Sequence, residues 1–513
     1  MQNCSTCKSL VIGFIILLVV VSPVPSIRGN VEKINNSNIL DFEVFEESFQ
    51  KTRMENHPML DRNDIQELFA SDGATGDLFG HSVSIDGDYA IIGAYEDDDN
   101  GGQSGSAYIF KRDGTVWNEQ FKLLPSDGES WEIFGCSVSI NGDYAVIGAS
   151  HDDDNGHSSG SAYVFKRDGI VWTEQSKLLP SDGKEDHTFG CSVSMDGDYV
   201  LIGAVGDDDN GWYSGSAYIF KRDGAIWTEQ FKLLPSDGGE YEYFGMYVSI
   251  DGDYALMGAW GDDDNGYRSG SAYIFKRDGN IWSQQVKLLP SDGKICGYFG
   301  KSVSIDGDYA IIGARGDDDN GNDAGSVYVF KRIGTTWSRH VKLLAPDGIK
   351  EDLFGWSVAI DGNYAIIGAM GADGNESGSG SAYVFKNISE FQSPDIPSIN
   401  GPTSGKVRVK YTFFISAIDP YDDDVYYYID WGDNTTRDWL GPYDSGEEIS
   451  VSHRWLKQGN FEVKIKARNT IGAVSDWGIL TVTIPRDKAT YNLLHLRLLE
   501  RFPFLKNLLY YYN

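Results

Sequence analysis

The sequence is poor in cysteine and in basic residues, and it has no long apolar run. Five cysteines in 513 residues are too few for a disulfide scaffold. The 43 Lys and Arg residues face 76 Asp and Glu, a formal charge of −33, which excludes a general attraction for nucleic acid or an anionic membrane surface. The apolar run from Leu10 to Val21 is shorter than the roughly 20 residues that a membrane-spanning helix needs.

That run is instead typical of a secretory signal. Lys8 precedes it and Ser22-Pro23-Val24-Pro25 follow it, the order of a cationic start, an apolar centre and a polar exit. We predict a signal peptide over residues 1–30, with an uncleaved anchor as the alternative, and a polar leader over residues 31–63. The prediction places the protein outside the cell or at the cell surface.

What the sequence does contain is a repeat rich in glycine. The pair Phe-Gly recurs at a step of 55 residues, with its phenylalanine at Phe79, Phe134, Phe189, Phe244, Phe299 and Phe354. Each copy holds four short stretches rich in Val, Ile, Tyr and Phe and bounded by Gly, Asp or Asn, which are strand and turn signals. Four antiparallel strands per copy describe one blade of a β-propeller, and a blade needs neighbours to bury its faces. The sequence predicts an all-β fold with a six-bladed propeller over residues 64–388.

The two ends of the repeat array predict how the propeller closes. Residues 64–73 align with residues 119–128, which end a copy, whereas the sixth copy stops after Phe385 without a fourth strand. We therefore expect the segment from Asp64 to Gly73 to supply the missing fourth strand of the last blade and to cover its open edge.

The repeat resembles a known family. The alternation of Phe79-Gly80 with Gly93-Ala94, repeated through residues 64–388, resembles FG-GAP repeats, the family that also builds the head of integrin α chains. Integrin-type repeats carry a D-x-D-x-D-G calcium loop just before the Gly-Ala strand. That place holds only Asp86-Gly87-Asp88 here, so the resemblance does not imply the integrin calcium site.

The remainder of the chain predicts a second domain and a tail. Residues 389–398, with two prolines, are typical of a linker. Residues 399–486 continue as strands, and the turn from Ile429 to Asn434 together with His453, Trp455 and the strand 459–467 resembles a PKD domain, an Ig-like β-sandwich. Residues 487–513 place apolar side chains at helical steps. They predict an amphipathic helical tail that either anchors at a membrane or envelope surface or packs on the sandwich.

One side of the propeller is the predicted binding surface. The loops from strand 2 to strand 3, and from strand 4 to the next strand 1, lie on the side where strand 1 begins. They differ from copy to copy, whereas the turns on the opposite side are nearly identical. Loops on a rigid frame carry specificity, and aromatic side chains suit sugar rings or protein anchors; the alternative is unselected variation. The predicted ligand-binding residues are His81, Tyr95, Trp131, Trp212, Tyr213, Tyr241, Tyr243, Trp260, Tyr267, Arg268, Lys301, Arg315 and Trp356.

The acidic loops after the Gly-Ala strand are the predicted metal sites. Calcium takes several oxygen ligands along a curved loop, and the acidic runs offer them; the alternative is a turn whose Asp and Asn side chains bond the local backbone. The predicted ligands are Glu96, Asp98, Asn100, Asp207, Asp209, Asp262, Asp264, Asp317 and Asp319. Calcium is thus the candidate cofactor.

These observations predict an exported binding or adhesion protein. Its expected partner is a glycan or an extracellular protein, and no nucleic acid. Neither H-E-x-x-H nor P-loop spacing occurs, so we do not expect an enzyme; the alternative is a secreted propeller hydrolase or lyase that acts on polysaccharide. Cys136 and Cys191 take the same place in adjacent copies, either as small apolar fillers or as a disulfide pair.

Overall fold

The computed structural model describes residues 66–374 and 378–485, together with Arg497, Glu500 and Arg501, which are helical and exposed. The predicted signal peptide, the leader and the rest of the tail lie outside the described residues. Within the described part of the chain, no helix is both long and apolar enough to cross a membrane.

The chain divides into two compact units. One comprises residues 1–69 and 112–118. In its described part, the side-chain amide of Gln66 donates to the carbonyl of Trp117 at 2.6 Å and accepts from the Trp117 backbone N–H at 2.7 Å. The other unit comprises residues 70–111 and 119–513.

The six copies fold as six consecutive antiparallel sheets, which we number 1 to 6. The strands of sheets 1 to 5, four to a sheet, are β1 (Ser82–Asp86), β2 (Tyr89–Ala94), β3 (Ser106–Asp113), β4 (Val116–Leu123), β5 (Phe134–Asn141), β6 (Tyr144–Ala149), β7 (Ser161–Asp168), β8 (Val171–Leu178), β9 (Phe189–Asp196), β10 (Tyr199–Ala204), β11 (Ser216–Asp223), β12 (Ile226–Leu233), β13 (Val248–Asp251), β14 (Tyr254–Ala259), β15 (Ser271–Asp278), β16 (Ile281–Leu288), β17 (Phe299–Asp306), β18 (Tyr309–Ala314), β19 (Ser326–Ile333) and β20 (Thr336–Leu343). Sheet 6 has three strands, β21 (Phe354–Asp361), β22 (Tyr364–Ala369) and β23 (Ser381–Lys386). The strands pair in chain order, as the repeat predicts for propeller blades.

Glycine makes the first hairpin of each sheet possible. Asp86 pairs with Tyr89, so Gly87 and Asp88 form a two-residue turn. Gly87 has a φ of 57°, a left-handed conformation that such turns require and that glycine adopts without a steric penalty.

Neighbouring sheets bury each other's faces. Val138 and Ile140 on β5 pack in one buried cluster with Ile91 and Ile109 of sheet 1. On the other side of β1, the Ser84 hydroxyl accepts a hydrogen bond from the Ile140 backbone N–H at 3.1 Å. The bulky face of one sheet therefore meets the serine face of the one before it.

The predicted fourth strand of the last sheet is wrong in the described residues. Sheet 6 has three strands, and residues 66–68, which align with the end of β4, are not in a strand. Residues 71–73 instead make the turn that precedes sheet 1, because Ser71 bonds Glu119 at 2.7 Å and the Asp72 carboxylate accepts from Tyr108 at 2.8 Å. Ser126 and Asp127 make the corresponding bonds before sheet 2.

The second domain has the predicted two sheets. After a 3₁₀ helix (Ile388–Glu390), its strands are β24 (Ser398–Asn400), β25 (Tyr411–Ser416), β26 (Val425–Asp430), β27 (Thr436–Tyr443), β28 (Ile449–His453), β29 (Gly459–Arg468), β30 (Ala473–Val474) and β31 (Gly478–Ile484). β24, β25 and β28 form one sheet, and the others form the second. Trp431 and Trp455 are buried in the shared core.

The second domain continues the fifth sheet. β30 pairs antiparallel with β20, through Lys342 with Val474 and Leu343 with Ala473. One sheet therefore runs in the order β17, β18, β19, β20, β30, β29, β26 and β27, with β31 paired to β29. Pairing fixes the second domain to the outer strand of sheet 5.

Candidate functional site

The variable loops of sheets 3 and 4 are joined by backbone hydrogen bonds. The loop between β10 and β11 accepts from the connection between β12 and β13: Tyr241 N–H donates to the Trp212 carbonyl at 2.8 Å and Tyr243 N–H to the Tyr213 carbonyl at 3.1 Å. Tyr213, Tyr241 and Tyr243 have positive φ, as do the matching positions of other copies such as Gln103. The repeat's own loop geometry therefore positions these aromatic side chains.

These side chains form a continuous aromatic cluster. Tyr243 stacks on Trp260 with ring centroids 4.4 Å apart, and Tyr213 stacks on Tyr241 at 6.4 Å. Trp260 also contacts Tyr298 at 5.8 Å. We call this surface the aromatic face and define it by Trp212, Tyr213, Tyr241, Tyr243, Trp260, Tyr267, Tyr298 and Trp356 with the cations Arg268, Lys301 and Arg315.

The three cations lie over the rings. The Arg268 guanidinium is 5.6 Å from the Trp260 ring centroid and 5.2 Å from that of Tyr267. Arg315 lies 4.7 Å from Tyr298 and 4.9 Å from Trp356. Cation–π contacts of this kind hold flat rings in place, so the face is ordered by its own side chains.

Most predicted binding residues meet on this face, and three do not. His81 and Tyr95 form their own edge contact at 4.4 Å in the first copy, and Trp131 is 65% exposed between the first and second copies. Sequence reasoning missed Tyr298, although it stands one repeat step after Tyr243. It also missed Tyr247, whose ring lies 4.8 Å from the Lys301 ammonium.

The acidic loops converge on lysines from the fourth strands. Lys122 Nζ lies 2.9 Å from Asp97 and 2.6 Å from Asp99, and 2.9 Å from Asp72 of the preceding turn. The same three-carboxylate arrangement surrounds Lys177, Lys232, Lys287 and Lys342. Burial opposes the charge on Lys177, but its carboxylate partners hold the pKa above the ordinary value. In the sequence, these clusters are marked by a lysine that recurs every 55 residues.

Six of the predicted calcium ligands form ion pairs with these lysines. Asp207 and Asp209 bond Lys232, Asp262 and Asp264 bond Lys287, and Asp317 and Asp319 bond Lys342. Asp182, Asp207 and Asp209 could also hold a metal by proximity, since their carboxylate oxygens lie within 4.8 Å of one another. The metal prediction for these residues stays a prediction.

In the first copy, the alternate acidic residues bond the backbone. Asp98 accepts from the Gln103 N–H at 2.7 Å, and the Asn100 side chain donates to the Pro125 carbonyl at 3.3 Å. Glu96 lies beside Tyr95 and contributes to raising that phenol's pKa, after burial. The matching residues Asp208 and Asp263 accept from Tyr213 and Arg268 N–H at 2.8 and 2.6 Å, so the acidic loops also position the aromatic face.

One hydrolase-like pattern needs its structural context. Gly156-His157-Ser158-Ser159-Gly160 fits G-x-S-x-G, which in hydrolases turns a strand into a helix. Here it lies between β6 and β7, both strands, and the Ser158 N–H donates to Asp153 at 2.7 Å as in the other copies' loops. Cys136 and Cys191 are free thiols rather than disulfide partners.

Comparisons with known proteins cover both halves of the chain. The family model described as FG-GAP repeat matches residues 63–110, 117–165, 172–220, 227–275, 282–330 and 337–385. The PKD domain of an M14-like peptidase from Thermoplasmatales archaeon SCGC AB-540-F20 is 43% identical, covers 18% of this chain and 98% of that chain, and has a TM-score of 0.18. Escherichia coli alpha-2-macroglobulin activated by porcine elastase is 9% identical and covers 74% of this chain and 37% of that chain, with a TM-score of 0.15. Comparison with curated proteins gives no match.

Proposed function

Since the chain belongs to the FG-GAP repeat family, we propose that it is an exported binding or adhesion protein whose aromatic face recognises glycans. The observation that carries the proposal is the convergence of variable loop residues from sheets 3 to 6 into one stacked cluster. Trp212, Tyr241 and Tyr267 are each about half exposed, and an exposed aromatic patch rimmed by polar groups marks an interaction site.

Glycan fits the face better than a protein anchor does. The rings are flat and are held by stacking and cation–π contacts. Sugar rings offer flat C–H surfaces to such rings and hydroxyls to the polar groups beside them. The predicted export signal supports an extracellular ligand.

The test is a glycan screen with the full chain. We expect immobilised wild-type protein to retain one class of saccharide, and the triple variant Trp212→Ala, Tyr213→Ala, Trp260→Ala to lose it at unchanged melting temperature. Lys331→Met, at the far end of β19, is the matched control. The Lys331 ammonium also makes a cation–π contact, 5.2 Å from the Tyr309 ring centroid, but it lies away from the aromatic face. Capture of an extracellular protein, with no saccharide retained, would move the assignment to protein adhesion.

The rival assignment, an enzyme acting on polysaccharide, has one observation in its favour. Glu242 lies in the sequence between Tyr241 and Tyr243 of the aromatic face. Burial, together with the Asp262 charge, raises the pKa of Glu242 to about 7, a value that suits a general acid. Its Oε2 is buried without a hydrogen-bond partner among the described residues. Release of reducing ends by wild type but not by Glu242→Gln would favour the enzyme, whereas no release would favour binding alone.

Calcium at the acidic loops belongs to this proposal as its candidate cofactor. A calcium ion would have to share the carboxylates of Asp207 and Asp209 with Lys232, or recruit Glu96, Asp98 and Asn100 after their loop rearranges. Melting curves with calcium and with chelator measure the effect: a higher melting temperature in calcium supports the site, and coincident curves reject it.

We further propose that sheet 6 packs against sheet 1. Val83 and Ile85 of β1 are exposed, although the matching Val138 and Ile140 are buried. Ile366 and Val384 of sheet 6 are exposed in the same way, and all four line a cleft of about 740 Å³ together with other apolar residues of both sheets. Closing this cleft would bury on both sides the kind of surface that every other pair of sheets buries.

A further inference from the structure

Two cations that form no ion pair with a carboxylate of the described residues lie within the aromatic face. Lys301 follows the Phe-Gly pair that opens β17, and Arg315 follows the Gly-Ala pair that ends β18. Lys301 is only 9% exposed, and its ammonium lies 4.8, 5.5 and 5.7 Å from the ring centroids of Tyr247, Trp260 and Trp356. Both side chains therefore share the Trp356 ring.

Neither cation has a carboxylate within ion-pair distance among residues 66–374 and 378–485. The Arg315 Nε is buried without a hydrogen-bond partner in the same part of the chain. Burial raises the pKa of Asp323, and the Arg315 charge acts to lower it. The Asp323 carboxylate, however, accepts its hydrogen bond from the Asn322 side chain, at 2.7 Å. The five fourth-strand lysines, by contrast, each have three carboxylates.

This arrangement is costly unless an anion completes it. Burying a charge without a partner is unfavourable, and two like charges side by side add repulsion. Burial, followed by the Arg315 charge, lowers the Lys301 pKa to about 8.

We propose that Lys301 and Arg315 bind the carboxylate of an acidic sugar, a uronic acid, whose ring stacks on the Trp260 and Trp356 side. The inference rests on the proposed glycan binding and adds its charge specificity. A carboxylate fits the site because it can accept from the Arg315 guanidinium and the Lys301 ammonium together. A carboxylate bound by these two donors offsets the mutual repulsion of the cations.

The test is titration calorimetry of the full chain with oligogalacturonate and with the neutral galacto-oligosaccharide of the same length. We expect wild type to bind the uronate at least tenfold more tightly than the neutral sugar. Lys301→Met and Arg315→Met should each lose that preference, while Lys331→Met should keep it. A sulfated galacto-oligosaccharide in a third titration separates carboxylate recognition from general anion attraction.

The outcomes distinguish this inference from the proposed function. Equal affinity for charged and neutral sugars, unchanged in Lys301→Met, overturns the acidic-sugar specificity and leaves glycan binding standing. Equal or tighter binding of the sulfated sugar also overturns it. Failure to bind any saccharide overturns both, and the triple aromatic variant then has no affinity to lose.

Discussion

At the scale of single residues, the chain uses lysine in two opposite electrostatic settings. Lys177 Nζ lies 2.7 Å from Asp152 and 2.7 Å from Asp154, so its charge is neutralised by the acidic loop. Lys301 lies under aromatic rings beside Arg315 and lacks such a partner among the described residues. The first setting stabilises the repeat, and the second is available to a ligand.

Removing Lys177 should therefore destabilise the protein. Lys177→Met leaves the buried Asp152 and two more exposed carboxylates without their ammonium, and we expect a loss of about 2 kcal/mol because one partner of a charged cluster is removed. Lys166→Met, whose ammonium lies over Tyr144 at 5.7 Å, should cost less than about 0.5 kcal/mol. Urea unfolding measures both; equal effects would contradict the account.

In the absence of ligand, replacing Lys301 should stabilise the protein, whereas replacing Lys177 destabilises it. The folded pKa of Lys301, about 8, lies below its ordinary value of 10.5, so between these pH values the unfolded chain binds a proton that the folded chain does not. Stability contributed by this group therefore rises with pH over that window. We expect Lys301→Met to melt above wild type at pH 7 and the difference to shrink by pH 10.

The groups that face Lys301 do not reverse this expectation. They are Arg315 and Tyr247, whose pKa burial raises to about 12; Trp260 and Trp356 do not titrate. A difference in melting temperature that grows with pH would contradict the assigned setting of Lys301.

At the scale of elements, close backbone approach joins one sheet to the next. A Cβ on Gly203 of β10 would lie 1.8 Å from the carbonyl oxygen of Gly245, which belongs to the next copy. The matching Gly368 of β22 would meet only the Ser357 side chain, at 2.5 Å, and no carbonyl of a following sheet. Glycine is thus needed where two sheets meet.

Alanine substitutions at Gly203 and Gly368 test whether glycine is needed for the close approach of the next sheet's backbone. Gly203→Ala must push two backbones apart, and we expect it to cost about 1–3 kcal/mol as an overpacked site does. Gly368→Ala should cost less, because the Ser357 hydroxyl can rotate away. Thermal unfolding of the pair gives the comparison, and a larger loss from Gly368→Ala would contradict this account of the glycines.

The elements also show how far the sequence was informative. Strand bounds, hairpin turns and the burial of Val138 and Ile140 follow from local pattern repeated in register, so they could be predicted. The lysine–carboxylate bonds join residues about 25 and 50 positions apart, and the pairing of β20 with β30 joins different domains. Such contacts depend on tertiary placement, which the local pattern does not encode, and the aromatic face was found only because the topology places its loops on one side.

At the scale of the whole molecule, the open question is the packing of the first sheet against the last. If these sheets pack in solution, Ile85→Lys should destabilise the protein as Ile140→Lys does, by about 3 kcal/mol or more, because a buried charge without a partner is strongly unfavourable. Ile140 is 4% exposed and Ile85 is 65% exposed. An unchanged melting temperature in Ile85→Lys, with a loss in Ile140→Lys, would show that the cleft stays open.

The most direct test of the central account is calorimetric titration of the full chain with oligogalacturonate, run beside the triple variant Trp212→Ala, Tyr213→Ala, Trp260→Ala. We expect saturable binding by wild type and at least a tenfold weaker affinity in the variant, with equal melting temperatures for the two proteins. Equal affinity of the folded variant and wild type would contradict the assignment of the aromatic face as the glycan-binding surface.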